Sequence, residues 1–233
     1  MDAKKTVLPR PRALLFDAYG TLFDVYSVAQ PVLAGLPCDP RLFAQVWRQK
    51  QIEYTWLRTL MDRYEDFRFV TEAALLTAAR QLAVPLTEPQ VRELMDAYFV
   101  TPAFADVPAA LEALKSLPLG ILSNGTPAML DAAVRNSGLE AFFSEVISID
   151  RLRIYKPSPR VYALGPEALK IPASEILFVS SNWWDAAGAK AFGFTVCWCN
   201  RAGSAPDDLG FAPDFTIRGL AELATLALGA VQQ

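Results

Sequence analysis

The sequence predicts an α/β fold, a doubly wound, Rossmann-like parallel sheet with a helical subdomain inserted into it. Three observations predict this. Short, β-rich apolar runs recur along the chain, each followed by a turn and a helical pattern, which is the rhythm of parallel strands joined by crossover helices. One connection, after Asp17, runs for roughly a hundred residues where a crossover needs about a dozen, so something is inserted there. The 233 residues are 52% hydrophobic, enough to bury a sizeable core.

Strands are expected at residues 13–16, 119–122, 146–149, 176–179 and 195–199. Thr126-Pro127 and Ser158-Pro159 each place proline at a first helical position, and Gly193 supplies a helix stop. Inside the insertion, Asp39-Pro40 reads as a capped helix start, after which Phe43, Val46, Trp47, Tyr54, Leu57 and Met61 recur at helical spacing. Thr71 opens a second helical pattern, and Thr87-Glu88-Pro89-Gln90 reads as a capping box for a third. The loop at 101–106 returns the chain to the sheet. The expected organisation is an α/β core domain of residues 1–23 and 106–233, with a helical cap subdomain at 24–105.

Composition removes several function classes. Twenty-two basic and 25 acidic side chains give a net charge of -3 without long like-charge runs, so no nucleic-acid partner is expected. No apolar run approaches the roughly 20 residues that span a bilayer, and MDAKKTVLPRPR lacks the apolar core of a secretory signal. A cytoplasmic protein without membrane contact is expected. Cys38, Cys197 and Cys199 read as buried thiols rather than metal ligands or disulfides. The chain contains no histidine, which excludes Ser-His-Asp and Cys-His chemistry and the usual zinc sites. A general base here has to be a carboxylate, lysine, tyrosine or water.

Ligands of open parallel sheets bind beyond the carboxyl ends of the strands. The polar residues that follow the expected strands are Asp17 and Thr21; Ser123, Asn124 and Gly125; Lys156; and Ser180, Asn182 and Asp185. Without histidine, a carboxylate nucleophile paired with a lysine and a second carboxylate is a coherent catalytic set. Each residue alone has a plainer reading: Asp17 as a helix cap, Lys156 as a solvated loop lysine, Arg48 as an arginine snorkelling beside Trp47.

The order and spacing of these residues resemble the haloacid dehalogenase superfamily. FDAYGTLFDVYSV, WRQKQIEYTWLR, ILSNGT, YKPSPRVY and FVSSNWWDAAGAKAFGF are similar, more closely, to the hydrolytic L-2-haloacid, or (S)-2-haloacid, dehalogenases. The resemblance implies that Asp17 attacks the alpha carbon with inversion, and that water then hydrolyses the aspartyl ester to a 2-hydroxyacid. It further implies that Lys156 stabilises charge on Asp17, that Asp185 holds Lys156 and helps to activate water, and that Thr21 and Asn182 orient Asp17. Ser180 and Tyr162 would support the lysine and carboxylate network. Ser123, with the backbone amides of Ala18, Tyr19 and Asn124, would hold the substrate carboxylate. Arg48, aided by Asn124, would receive the halide, and Tyr19, Gln49, Phe67 and Trp184 would wall the pocket.

Tyr19 stands where phosphatases of the superfamily carry a second aspartate, and Ser180-Ser181-Asn182 stand near the positions of their magnesium-binding acids. Neither metal nor cofactor is expected. The competing readings are a phosphatase or phosphotransferase on the same fold and a catalytically silent binding protein. The implied partners are a short 2-haloacid, its halide product, and a second copy of the chain in a homodimer. Relatives often have a small residue at Trp183. Facing the pocket, this indole would narrow it towards haloacetates and even fluoroacetate; facing the sheet or a partner chain, it says nothing about substrate.

Overall fold

Ala13, Leu14, Leu15 and Phe16 are all fully buried, as expected of a parallel strand covered on both faces. They form β1 (Ala13–Phe16), at the middle of a six-stranded parallel sheet in the order β3-β2-β1-β4-β5-β6. The other strands are β2 (Leu119–Ser123), β3 (Glu145–Ser148), β4 (Ile176–Ser180), β5 (Thr195–Cys199) and β6 (Phe215–Ile217). The computed structural model describes residues 10–228, so most of the stretch considered for a secretory signal lies outside the described residues.

The chain leaves β1 for α1 (Gln30–Leu33), α2 (Pro40–Leu60), α3 (Phe67–Gln81) and α4 (Glu88–Phe99), then returns through α5 (Val107–Leu114) to β2. Within this insertion α2 packs along α3, and α3 against α4. The Asp39 side chain caps α2 through the amide of Arg41, and Thr87 with Gln90 forms the expected capping box on α4. Thr71 does not open a helix. α3 begins at Phe67 because Asp66 accepts from the amide of Phe69 at 2.8 Å, and Thr71 lies buried in the helix, donating to the Phe67 carbonyl.

The remaining crossovers are α6 (Pro127–Asn136) after β2, α7 (Pro159–Tyr162) and α8 (Leu164–Leu169) between β3 and β4, and α9 (Trp183–Phe192) between β4 and β5. Thr126 caps α6 and Gly193 ends α9 in the left-handed conformation, as expected; Ser158 precedes α7 without capping it by its side chain. α10 (Leu223–Leu228) closes the described chain. β6 has no counterpart among the expected strands, because three residues carry too little periodicity to register as a strand. Cys197 and Cys199 are buried on β5 whereas Cys38 is half-buried, and all three are free. Among the described residues no helix is long and apolar enough to cross a membrane.

In this strand order the chain reverses direction across the sheet between β1 and β4, and the crevice beyond their carboxyl ends is where a ligand can enter. The strand that carries Asp17 is seated from below by α8, where Gly165 lies so close to Leu15 that an added Cβ would stand 2.5 Å from its Cδ2. Gly165→Ala should therefore destabilise the protein by about 1–3 kcal/mol through overpacking, read from the midpoint of chemical denaturation.

Candidate active site

Asp17 follows β1 with its amide bonded to the Val179 carbonyl of β4 at 2.9 Å, so the two loops begin side by side. The chain then turns tightly. The carbonyl of Ala18 accepts from the amides of Thr21, Leu22 and Phe23, and Gly20 adopts φ 90°, which only glycine takes without strain. This turn swings the Thr21 hydroxyl back to Asp17 Oδ2 at 3.2 Å, while the amide of Ser181 donates to the same hydroxyl at 2.8 Å. Asn182 Nδ2 donates to Asp17 Oδ2 at 2.9 Å, and Lys156 Nζ to Oδ1 at 3.0 Å. Three donors from three loops thus fix the plane of one buried carboxylate.

Lys156 is itself fully buried and makes a second ion pair with Asp185 Oδ2 at 2.9 Å. Its backbone amide donates to Asn124 Oδ1 at 3.1 Å, which ties the lysine loop to the end of β2; among the described residues the Asn124 amide nitrogen makes no hydrogen bond. The Tyr162 hydroxyl donates to Asp185 Oδ1 at 2.8 Å. That approach depends on Gly188 in α9, where a Cβ would lie 2.6 Å from the tyrosine oxygen. Burial opposes the charge of Lys156, but the carboxylates of Asp17 and Asp185 outweigh it and hold the lysine above its ordinary value. Burial raises Asp185; Lys156 pulls it down and the charge of Asp17 pushes it up, leaving it above the ordinary carboxylate range.

Ser123 is buried at the end of β2, and its oxygen accepts from the amide of Gly125 at 3.1 Å, so its own O–H remains available as a donor. Ala18 and Tyr19 lie in the buried turn directly after Asp17. Tyr19 stacks on Phe67 with ring centroids 5.6 Å apart and touches Tyr98, forming an inner aromatic wall. Burial, followed by the neighbouring Tyr98, raises its phenol well above the ordinary value, so it is a poor proton donor or acceptor.

Arg48 comes from α2, and the expectation that it belongs to the site fits its placement better than a surface role does. It is 9% exposed; Nη2 donates to the Tyr19 carbonyl at 2.9 Å and Nη1 to Gln51 Oε1 at 2.7 Å, while Nε has no partner among the described residues. Arg48, Gln49, Trp56 and Trp184 line an opening of about 430 Å³ beside the site, with the rings of Trp56 and Trp184 edge to face at 5.4 Å.

One expectation changes, and the structure chooses between the two readings of Trp183. Ser180 reaches neither the lysine nor the two carboxylates among the described hydrogen bonds; its oxygen accepts from the amide of Asn182 at 3.2 Å and so shapes the turn that presents that residue. Trp183 faces the sheet, packing edge to face on Trp198 of β5 at 4.6 Å, and so gives no reason to expect a narrowed pocket. The sequence reading also missed the residues that hold Arg48. Gln51 accepts from Arg48 and from the Tyr98 hydroxyl and donates to Thr71, all inside the insertion. The available signal was a glutamine three residues after Arg48, hence on the same face of α2.

A profile of haloacid dehalogenase-like hydrolases matches residues 11–193. The chain is 44% identical to the (S)-2-haloacid dehalogenase of Pseudomonas sp. (strain YL), over 95% of this chain and 98% of that one. The chain belongs to the haloacid dehalogenase-like hydrolases, within the (S)-2-haloacid dehalogenase branch. It is also 45% identical to haloacetate dehalogenase H-2 of Moraxella sp. (strain B), over 88% of this chain and 92% of that one. The fold superposes with a TM-score of 0.85 on the L-2-haloacid dehalogenase of Xanthobacter autotrophicus with chloropropionic acid covalently bound. That protein is 40% identical, with 94% of this chain and 99% of that one covered.

A hydrolase that needs Asp185 ionised and Lys156 protonated loses rate when pH falls far enough to protonate the aspartate or rises far enough to deprotonate the lysine. With both groups raised, the acidic limb of the kcat/KM profile should lie above the ordinary aspartate value and the alkaline limb above the ordinary lysine value. An acidic limb at or below the ordinary aspartate value would contradict this assignment.

Proposed function

We propose that the protein hydrolyses short (S)-2-haloacids to 2-hydroxyacids with inversion, through an ester on Asp17. The observation that carries this reading is the buried arrangement Asp17–Lys156–Asp185 beside Tyr19, a phenol where a phosphatase needs a carboxylic acid and one that burial makes a still weaker acid. A phosphate ester needs a proton for its leaving alcohol, whereas a halide leaves without one. The covalently bound chloropropionic acid in the Xanthobacter relative supports the same reading.

In the first step an oxygen of Asp17 forms a bond to the alpha carbon as the carbon–halogen pair leaves with the halide. Thr21, Asn182 and Lys156 hold the attacking carboxylate, and such fixed geometry is worth orders of magnitude in rate. The substrate carboxylate is held by the Ser123 hydroxyl with the amides of Ala18, Tyr19 and Asn124. The departing halide meets Arg48, whose buried Nε has no partner among the described residues, and the Asn124 amide nitrogen, which likewise makes no hydrogen bond among them. Water then adds to the carboxyl carbon of the Asp17 ester, passing a proton towards Asp185, and the oxyanion forms beside the Lys156 ammonium. Collapse breaks the bond between that carbon and the ester oxygen. The departing alkoxide takes the remaining proton of the added water, giving the 2-hydroxyacid and the Asp17 carboxylate, and Asp185 returns its proton to solvent. Trp184, Phe67, Tyr19 and Gln49 wall the site, and the insertion at 24–105 acts as its cap.

The cation that bridges the two carboxylates is the lysine ammonium, so the proposed reaction runs without a metal. Halide release from chloroacetate and from (S)-2-chloropropionate should persist in excess EDTA, should be far slower with the R enantiomer, and should disappear in Asp17→Asn. Hydrolysis of a phosphate ester restored by magnesium would instead favour the phosphatase reading. We further propose a homodimer, supported by the exposed apolar side chains Leu57, Leu60, Met61 and Phe69 near the carboxyl end of α2 and the start of α3. Sedimentation equilibrium should give twice the chain mass, and a monomer at micromolar concentration would remove this proposal.

A further inference from the structure

The segments that lead into and out of the insertion run side by side. The amide of Asp24 donates to the Pro102 carbonyl at 2.8 Å, that of Phe104 to the Leu22 carbonyl at 2.9 Å, and Phe23 pairs with Ala103. Arg201, in the loop after β5, grips both segments from the core. Its Nη2 donates to the Thr21 carbonyl at 3.0 Å and its Nη1 to Asp106 Oδ2 at 3.0 Å, while the guanidinium carbon lies 4.1 Å above the Phe104 ring. Asp106 Oδ2 also accepts from the amide of Leu220 at 2.7 Å, just after β6. The adjoining Gly219 leaves no room for more, since a Cβ there would lie 2.8 Å from that oxygen.

Thr21 is thus held at two points. Its hydroxyl stands between the Ser181 amide and Asp17 Oδ2, and its carbonyl is fixed by Arg201. We propose that Arg201 is a positioning residue for the nucleophile: acting through Thr21, it sets the orientation of Asp17 and couples it to the hinge of the insertion. This rests on the reading of Asp17 as nucleophile. A planar guanidinium suits the task because it donates in two directions at once, to acceptors on separate segments, while its face covers an aromatic ring; a lysine ammonium offers no such fork. With its side chain 19% exposed and that of Asp106 24% exposed, the ion pair is largely sheltered from solvent.

Of the groups proposed to bind the substrate, Ser123, Asn124 and Arg48 lie on other elements, and the Ala18 and Tyr19 amides precede Thr21 in the turn and are held by its other hydrogen bonds, so loss of Arg201 should fall mainly on kcat. In Arg201→Ala, kcat on (S)-2-chloropropionate should drop about tenfold with KM changed by less than about twofold, the expected cost of a slightly misplaced reacting group. Arg201→Lys should recover part of the loss, and millimolar guanidinium should raise kcat in Arg201→Ala while leaving the intact enzyme unchanged. Because the effect passes through Thr21, Arg201→Ala should cost almost nothing further in a Thr21→Val background. If Arg201→Ala does not fold because Asp106 is left half-paired, the same measurements are made with Asp106→Asn added. Unchanged kcat in a folded variant, a change in KM alone, or fully additive losses with Thr21→Val would overturn the role of Arg201. Wild-type halide release, measured alongside, tests the nucleophile assignment separately.

Discussion

The Lys156 ammonium, with none of its side chain exposed, shares its charge between Asp17 and Asp185 at 3.0 and 2.9 Å. A buried ion of this kind is tolerable only where its partners are fixed, since removing one partner from a buried pair costs about 3–5 kcal/mol. Much of the surrounding structure meets that condition. Asn124 holds the lysine backbone, Tyr162 occupies the second oxygen of Asp185, and Gly188 makes the space that lets Tyr162 reach it. Asp17, unlike Asp185, keeps slight exposure, so it is the carboxylate at the mouth of the network, the one a ligand can reach.

The same charge pattern organises the proposed chemistry. Before reaction two carboxylates share one ammonium, and the group of three carries a net charge of -1. Forming the ester removes the charge of Asp17 and leaves Lys156 with Asp185 as a neutral pair, so the ammonium then faces the ester carbonyl as its strongest nearby electrostatic partner. The cation that first steadied the nucleophile becomes the group that stabilises the oxyanion. Across the site, the charge lost from Asp17 reappears on the halide, where Arg48 lies; the two cations serve opposite ends of one displacement.

Local chemistry made much of this legible, and distance hid the rest. β1 and β5 were readable because their apolar runs are uninterrupted, and α2 and α4 because Asp39, Thr87 and Gln90 are short-range caps. β3 lies one residue earlier than its apolar pattern suggests, since Glu145 pairs with Gly120 while Ile149 already opens a short 3-10 helix, Ile149–Leu152. Asp17, Lys156 and Asp185 could be placed at strand ends, but their contacts span 139 and 29 residues, and no local pattern encodes such distances. The directions of Ser180 and Trp183 were unreadable for a related reason. Both lie in or beside a tight turn, where one peptide rotation decides between facing the ligand and facing the sheet.

The Tyr19 carbonyl shows how insertion and core become one site. It accepts from Arg48 on α2 at 2.9 Å and from Asn182 in the loop after β4 at 3.3 Å. Arg48 and Asn182 therefore meet on the peptide two residues after Asp17, and Asn182 donates to Asp17 through the same amide group. A shift of α2 away from the sheet would free the Tyr19 carbonyl and withdraw Arg48 in the same movement, loosening the loop after Asp17 and dismantling the proposed anion receptor together. The arginine is buried and already bonded to Gln51 and Tyr19, so it cannot follow a ligand independently of its helix. In the proposed mechanism, halide reception and nucleophile alignment thus depend on a single geometric variable, the seating of α2 over the end of β1.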